Sequence, residues 1–263
     1  MTPETAARYW NGNADTWTLL VRAGHDLYRD HLNTPAFLAA LPLVEGLRGL
    51  DLGCGEGHHT RLLAARGARM LGLDVAPRFI VHASATERHD RQGIDYVVGD
   101  AIALPLATTS LDFVIACMSL MDVPQPELAL AEISRVLKPG GFVQFSISHP
   151  CFQPLHRRNL RGADGRTYAF EVGGYFEPAD DEEIEEWLFG DAPAALKAGL
   201  PKFRIPRFRR TLTQWFDMLK DNGLQLEHLA EPRPDDGTVA ARPALQDAQV
   251  VAYFLHLRAR KPA

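Results

Sequence analysis

Residues 51–57 read Asp51-Leu52-Gly53-Cys54-Gly55-Glu56-Gly57, an acid followed by three glycines at alternate positions. The apolar run Leu47-Arg48-Gly49-Leu50 leads into them, and Thr60 to Gly67 reads as a helix that ends on glycine. A strand, a tight glycine turn and a helix N-terminus make a βα unit whose loop faces a ligand. Glycine suits such a loop because a Cβ would hold the backbone away from what it binds. The spacing narrows the ligand. A dinucleotide loop runs G-x-G-x-x-G, whereas here the third glycine comes two residues after the second and His58 holds the sixth place. Nicotinamide-dependent oxidation is therefore the weakest candidate chemistry.

Two further acids close apolar runs. Asp74 ends Met70-Leu71-Gly72-Leu73, 23 residues beyond Asp51, near the spacing of roughly 20 at which an acid meets ribose hydroxyls. Its two oxygens match two hydroxyl donors; the competing role is to cap the helix that starts near Pro77. Asp100-Ala101 follows Gly99 after the run Ile94–Val98, where an Asx turn is the competing reading.

The heptad resembles the first motif of the class I S-adenosylmethionine-dependent methyltransferases. Gly99-Asp100-Ala101 with Leu104-Pro105-Leu106 resembles that family's G-D-A…L-P-F segment, and Leu111-Asp112-Phe113 and Leu137-Lys138-Pro139-Gly140-Gly141 resemble its late motifs. The resemblance spans residues 45–149 and departs at Leu111-Asp112, where Phe-Asp is usual. It implies S-adenosyl-L-methionine as cofactor, held by Asp51, Gly53, Cys54, Gly55, Asp74, Val75, Asp100, Ala101 and Met118. Asp74 would take the ribose, Asp100 the adenine amino group, and the Ala101 N–H a ring nitrogen. The implied reaction is direct displacement of the methyl group by a small organic acceptor.

The elements that must position these residues alternate. Strands are expected at 47–52, 70–74, 94–100, 111–117 and 141–148, with helices at 60–67, 77–89 and 126–137; Lys138–Gly141 reads as a helix-terminating turn. Such alternation means βαβ crossovers and a doubly wound, mostly parallel seven-stranded sheet of Rossmann-like form. Thr211–Asn222 reads as a helix closed by Gly223, and Leu224–Leu229 and Val250–Leu257 as last strands in a hairpin joined by a polar loop. The chain is expected to be a single domain over 1–263, with residues 1–40 a helical cap and residues 150–210 an acceptor-side insertion.

Site candidates outside the motifs are weaker. His149, after the fifth strand in Ser148-His149-Pro150, is the best-placed general base if the acceptor must lose a proton; otherwise it fixes the turn before Pro150. Asp122 is a second base of the same kind. Met118 either meets the methionyl tail or fills core, and Cys54 reads as packing. His58-His59 cannot share a metal from one helix face, so surface or capping roles are expected, and no metal is. Tyr168, Tyr175, Phe176, Trp187 and His156 are candidates to line an acceptor pocket. Arg29 is a candidate partner for the cofactor's carboxylate, within an N-terminal segment carrying Tyr9, Trp10 and Tyr28.

Composition sets the remaining bounds. Hydrophobic residues make up 46% and charged residues 23% of 263, with net charge −5, which is ordinary for a soluble domain and opposes a general nucleic-acid binder. Arg204, Arg207, Arg209 and Arg210 form a local basic cluster that keeps a tRNA-modifying alternative open; a non-methylating protein that retains the fold is another. The acidic run 180–186 reads as a solvated helix face. No spanning stretch or signal peptide is apparent. Three cysteines without metal spacing point to a reduced, cytoplasmic chain. Acceptor identity and oligomeric state are left open.

Overall fold

The computed structural model describes residues 1–154, 156–177 and 183–263. The chain opens with helix α1 (Pro3–Arg22), a π-helical turn Arg29–Asn33 and α2 (Thr34–Ala39). Pro3 in the first turn and the Thr2 side chain, which accepts the Thr5 N–H at 3.3 Å, start α1 where local chemistry favours it. Then follow β1 (Arg48–Leu52), α3 (His58–Ala64), β2 (Arg69–Asp74), α4 (Pro77–His89), β3 (Asp95–Val98) and β4 (Leu111–Cys117). A 3₁₀ turn Leu120–Asp122 leads to α5 (Pro126–Val136) and β5 (Leu137–Ser148). Next come β6 (His156–Arg161), β7 (Thr167–Gly173), β8 (Ile184–Trp187), α6 (Ala194–Lys197) and β9 (Phe203–Pro206). The chain closes with α7 (Leu212–Asp221), β10 (Gln225–Ala230), α8 (Asp236–Ala241), a 3₁₀ helix Pro243–Gln249 and β11 (Phe254–Arg260).

Seven strands form one sheet in the order β10-β11-β5-β4-β1-β2-β3. β1 to β5 pair in parallel, and β11 runs antiparallel to both β5 and β10. This is the doubly wound, mostly parallel architecture. Alternation along β4 fills both faces. Val114 and Ala116 join Leu52, Phe145, Ile133 and Trp215 on one side, while Phe113 and Ile115 meet Met70, Leu63 and Phe37 on the other. After β3 the chain crosses to the far side of β1, so the carboxyl ends of β1 and β4 flank the point where strand order reverses, which is where a ligand crevice opens.

Three expectations change. Lys138–Gly141 falls within the span of β5; Gly140 takes a left-handed φ of +76°, and the register with β4 shifts there instead of a loop forming. The last two sheet strands pair, yet their connection contains α8 and a 3₁₀ helix. Within the described part of the acidic run, residues 184–186 are strand, not helix. Glu186 faces Arg204 across the β8–β9 pair, with an ion pair at 3.3 Å, so cross-strand charge complementarity holds the segment extended. Asp180, Asp181 and Glu182 lie outside the described residues.

The N-terminal helix and the insertion meet. Asn13 on α1 donates its amide to the Arg204 carbonyl at 2.9 Å and accepts the Arg204 N–H at 2.9 Å. Trp17 sits 4.8 Å from Phe203 and 5.1 Å from Phe189, centroid to centroid, over buried Leu20 and Val21.

Candidate functional site

At the crevice lies a cavity of about 460 Å³. Its floor is the loop after β1, shaped by left-handed glycines at Gly53 (φ +72°) and Gly55 (φ +54°). The Gly53 and Cys54 N–H groups donate to the Leu73 carbonyl at 2.8 and 3.0 Å, tying the loop to β2. The two glycines serve different ends. Gly53 lines the cavity, and a Cβ on it would stand 2.4 Å from the Ser119 Cβ, so the protein's own packing already demands glycine there. A Cβ on Gly55 meets nothing within 4 Å and would project into open space beside the cavity it lines.

Asp74, at the end of β2, lines the cavity while buried. One oxygen accepts the Gly55 N–H at 2.8 Å and the other the Ala76 N–H at 2.9 Å. Each carboxylate oxygen retains further acceptor capacity. Burial pushes this carboxyl up to about 6, against the two N–H bonds. Asp51 does not line the cavity; it sits behind the loop, accepts the Thr60 hydroxyl at 2.6 Å and anchors α3 to β1. Burial, with Asp74 nearby, raises it to about 7.

Val75, Asp100, Ala101 and Cys54 also line the cavity. Asp100 accepts the Ile102 N–H at 3.1 Å in an Asx turn. Burial and the neighbouring Asp74 and Asp51 push the Cys54 thiol well up, which leaves it no thiolate character at neutral pH. Met118 lines the cavity with φ +55°, uncommon for a side-chain-bearing residue; the Ser146 carbonyl and hydroxyl receive its N–H at 2.9 and 3.2 Å and hold it there.

His149 does not line the cavity. Its ring is buried, its Nδ1 accepts the Cys151 N–H at 3.2 Å and its Nε2 faces Glu231 at 2.8 Å, so both nitrogens are engaged away from the crevice. Burial lowers its pKa against the pull of Glu231. His58 and His59 are not surface residues. Both line the cavity as neutral rings, His58 lowered to about 4 chiefly by burial and His59 bonded to the Thr34 hydroxyl at 2.9 Å.

The roof comes from the cap and the insertion: Trp10 and Trp17 of α1, Tyr28, Arg29, and Trp187, Phe189 and Ile205. Arg29 spends Nε on Asp30 at 2.7 Å and one terminal nitrogen on the Val21 carbonyl at 3.1 Å. Of the proposed pocket aromatics only Trp187 reaches this cavity. Tyr168 and Phe176 are 66% and 86% exposed, His156 is exposed, and Tyr175 lines a second cavity of about 280 Å³. The arginines of the basic cluster are internally matched, Arg207 to Glu185 and Arg209 to Glu183, with Arg210 bonded to the Pro124 carbonyl at 2.7 Å. Among the described residues no group of His, Cys, Asp or Glu has the clustering to hold a metal.

Sequence reasoning missed the tie between cap and loop. Buried Glu56 accepts from Arg22 of α1 at 2.8 Å and from Arg61 at 3.0 Å. An acid inside a glycine loop was the visible signal; its partner was not.

Residues 50–145 match the family model described as a methyltransferase domain. A demethylmenaquinone methyltransferase of Thermobifida fusca is 34% identical over 157 residues, 59% of this chain and 66% of that one. A malonyl-[acyl-carrier protein] O-methyltransferase of Methylococcus capsulatus is 38% identical over 126 residues, 46% of this chain and 44% of that one. The chain thus spans about half to two thirds of the length of these curated relatives. The crystal structure of an S-adenosylmethionine-dependent methyltransferase from Mesorhizobium loti superposes with a TM-score of 0.69 at 28% identity, covering 86% of this chain and 96% of that one.

Proposed function

We propose that this chain, which carries a class I S-adenosylmethionine-dependent methyltransferase domain, binds S-adenosyl-L-methionine in the large cavity and methylates a small organic acceptor. The carrying observation is that a loop whose Gly55 leaves the wall open, the buried Asp74 with unused acceptor capacity, and Asp100-Ala101 all line one cavity at the sheet's switch point. Those residues fit the cofactor's parts. Asp74 would accept from the ribose hydroxyls, Asp100 and the Ala101 N–H would meet the adenine edge, and the loop backbone with Met118 would follow the methionyl portion. Arg29, which lines the same cavity, would pair with its carboxylate. When bound, the cofactor supplies an electrophilic methyl group on sulfonium.

The protein's task is then alignment and exclusion of water. Residues 1–40 and 150–210 act in this reading as a cover over one domain, with Trp10, Trp17 and Trp187 as its apolar inner surface. His149 serves the turn before Pro150. The internally paired arginines favour a small-molecule acceptor over tRNA. No described helix is long and apolar enough to cross a membrane, and three free cysteines suit a reducing compartment such as the cytoplasm.

Calorimetry with S-adenosylhomocysteine tests the cofactor site, and transfer from methyl-labelled cofactor into a metabolite extract tests the reaction. Absence of binding overturns the reading. Binding without transfer leaves a protein that keeps the fold for another purpose.

A further inference from the structure

Asp122 stands where the two cavities join. It lines both, together with Met121, Ser148 and Arg207. The buried carboxylates near the crevice each have a hydrogen-bonded job, unlike half-buried Asp122: Asp51 holds Thr60, Asp74 holds Gly55 and Ala76, and Glu56 holds Arg22 and Arg61. The Asp122 carboxylate accepts no hydrogen bond among the described residues, although its N–H is bonded to the Ser119 carbonyl. Two donors on the β8–β9 side are likewise unmet among the described residues. Arg207 pairs one terminal nitrogen with Glu185 but leaves Nε buried without an acceptor, and Trp187 Nε1 is buried without one. Both residues line the large cavity. Buried donors are nearly always satisfied, so two unmet ones and a half-buried carboxylate without a hydrogen bond, all on residues of one cavity wall, point to a ligand that completes them.

We propose that Asp122, Arg207 and Trp187 form the acceptor subsite, built for a molecule bearing an acidic hydroxyl beside a carbonyl or carboxylate oxygen. The inference rests on the methyl-transfer reading above. Asp122 receives the hydroxyl's hydrogen bond, while Arg207 Nε and Trp187 Nε1 donate to the neighbouring oxygen. In the reaction the O–H bond breaks and its proton passes to an Asp122 oxygen. The electron pair left on the acceptor oxygen forms the bond to the methyl carbon, as the methyl–sulfur bond breaks with its pair on sulfur. Burial raises the Asp122 carboxyl to about 7, with Arg207 and Arg210 pulling it down and Glu185 pushing it up. A base of that strength is matched to an acidic hydroxyl near neutral pH.

Salicylate, benzoate and phenol are the probes, titrated by ligand-observed NMR into protein saturated with S-adenosylhomocysteine. Wild type is expected to bind salicylate about tenfold or more tighter than benzoate, since only salicylate satisfies Asp122. Asp122→Asn should erase that preference, and acidification through about pH 7 should erase it in wild type. Arg207→Met should weaken salicylate and benzoate alike, about tenfold, and leave phenol unaffected. Trp187→Phe, which removes only the N–H, should weaken both carboxylates by less. S-adenosylhomocysteine affinity in each variant reports that the fold survives. A salicylate preference unchanged in Asp122→Asn overturns the proposal, as does absence of salicylate binding by cofactor-loaded wild type. Failure of wild type to bind S-adenosylhomocysteine would overturn the methyl-transfer reading instead.

Discussion

Gly53 and Gly55, two of the three left-handed glycines of the β1 loop, should fail in opposite ways when each is changed to alanine. Both changes force a Cβ onto positive φ, which costs about 1–2 kcal/mol. At Gly53 the new Cβ stands 2.4 Å from the Ser119 Cβ and 2.9 Å from its Oγ. Ser119 cannot simply swing away, because its hydroxyl donates to the Leu52 carbonyl at 2.6 Å. Overpacking of this kind adds about 1–3 kcal/mol, so Gly53→Ala should lose roughly 2–5 kcal/mol, a large part of the ~5–15 kcal/mol that holds a domain folded. At Gly55 no protein atom lies within 4 Å of the new Cβ. Gly55→Ala should therefore lose only the backbone term, while the methyl group intrudes on the bound ligand by about 1–3 kcal/mol, roughly 5- to 150-fold in Kd. Urea denaturation reads the first effect and calorimetry with S-adenosylhomocysteine the second. A Gly55→Ala protein that binds like wild type would falsify the placement of the ligand against this loop. A Gly53→Ala protein of undiminished stability would refute the packing geometry.

Three further outcomes follow from the same contacts. Arg22→Ala removes one of the two cations on buried Glu56; cleavage before residue 40 should speed up, and S-adenosylhomocysteine should protect wild type more than the variant, whereas equal rates with and without ligand would dismiss the cover. His149→Ala should lose about 2–4 kcal/mol of stability, since the buried ring leaves a gap and the Cys151 N–H loses its acceptor, and ligand affinity should hold within about twofold; because burial lowers the His149 pKa, its contribution is present above the ordinary 6.5 and lost as pH falls, so the variant should show a shallower acid limb in thermal melts. Asp122 is raised from 3.8 to about 7, so its contribution is full below about 3.8 and lost as pH rises through about 7; Asp122→Asn should gain on wild type by a few kcal/mol at most between pH 4 and 8, and parallel stability curves would show that the carboxyl is not buried as described.

What could be read from the chain was what lies within one βα unit. The glycine turn, Asp74 and Asp100 are each fixed by strand ends and by spacing over a few tens of residues, and Pro77–His89 came out as helix because Pro77 can only open one. Contacts across long separations left no local trace. Arg22 meets Glu56 across 34 residues, His149 meets Glu231 across 82, and Asn13 meets Arg204 across 191. None of these pairings can be read until both partners are in place. The segment Ile184-Glu185-Glu186-Trp187 has apolar ends around two charges and fits a helix turn or a strand equally; Arg204 and Arg207 on the opposing chain decide it.

That division maps onto function. Apart from Arg29 and Met118, the groups assigned to the cofactor come from residues 51–101, held by parallel strands whose side chains fill both faces of the core. The groups assigned to the acceptor come from a 3₁₀ turn at Leu120–Asp122, from β8 and from the residue just after β9, the last two attached to a separate two-stranded sheet. A rigid frame can keep one cofactor geometry while the attached elements change shape and chemistry, which is how one fold hosts many acceptors. The two parts are not independent, however. Asn13 clamps α1 to β9, and Trp17 packs on Phe189 and Phe203 beside Trp187. Because Arg22 joins the same helix to Glu56 in the glycine loop, α1 connects the floor of the cavity to the wall that carries the acceptor groups. On the proposed assignments, order imposed on the loop by the cofactor would have a continuous, packed route to the residues assigned to the acceptor.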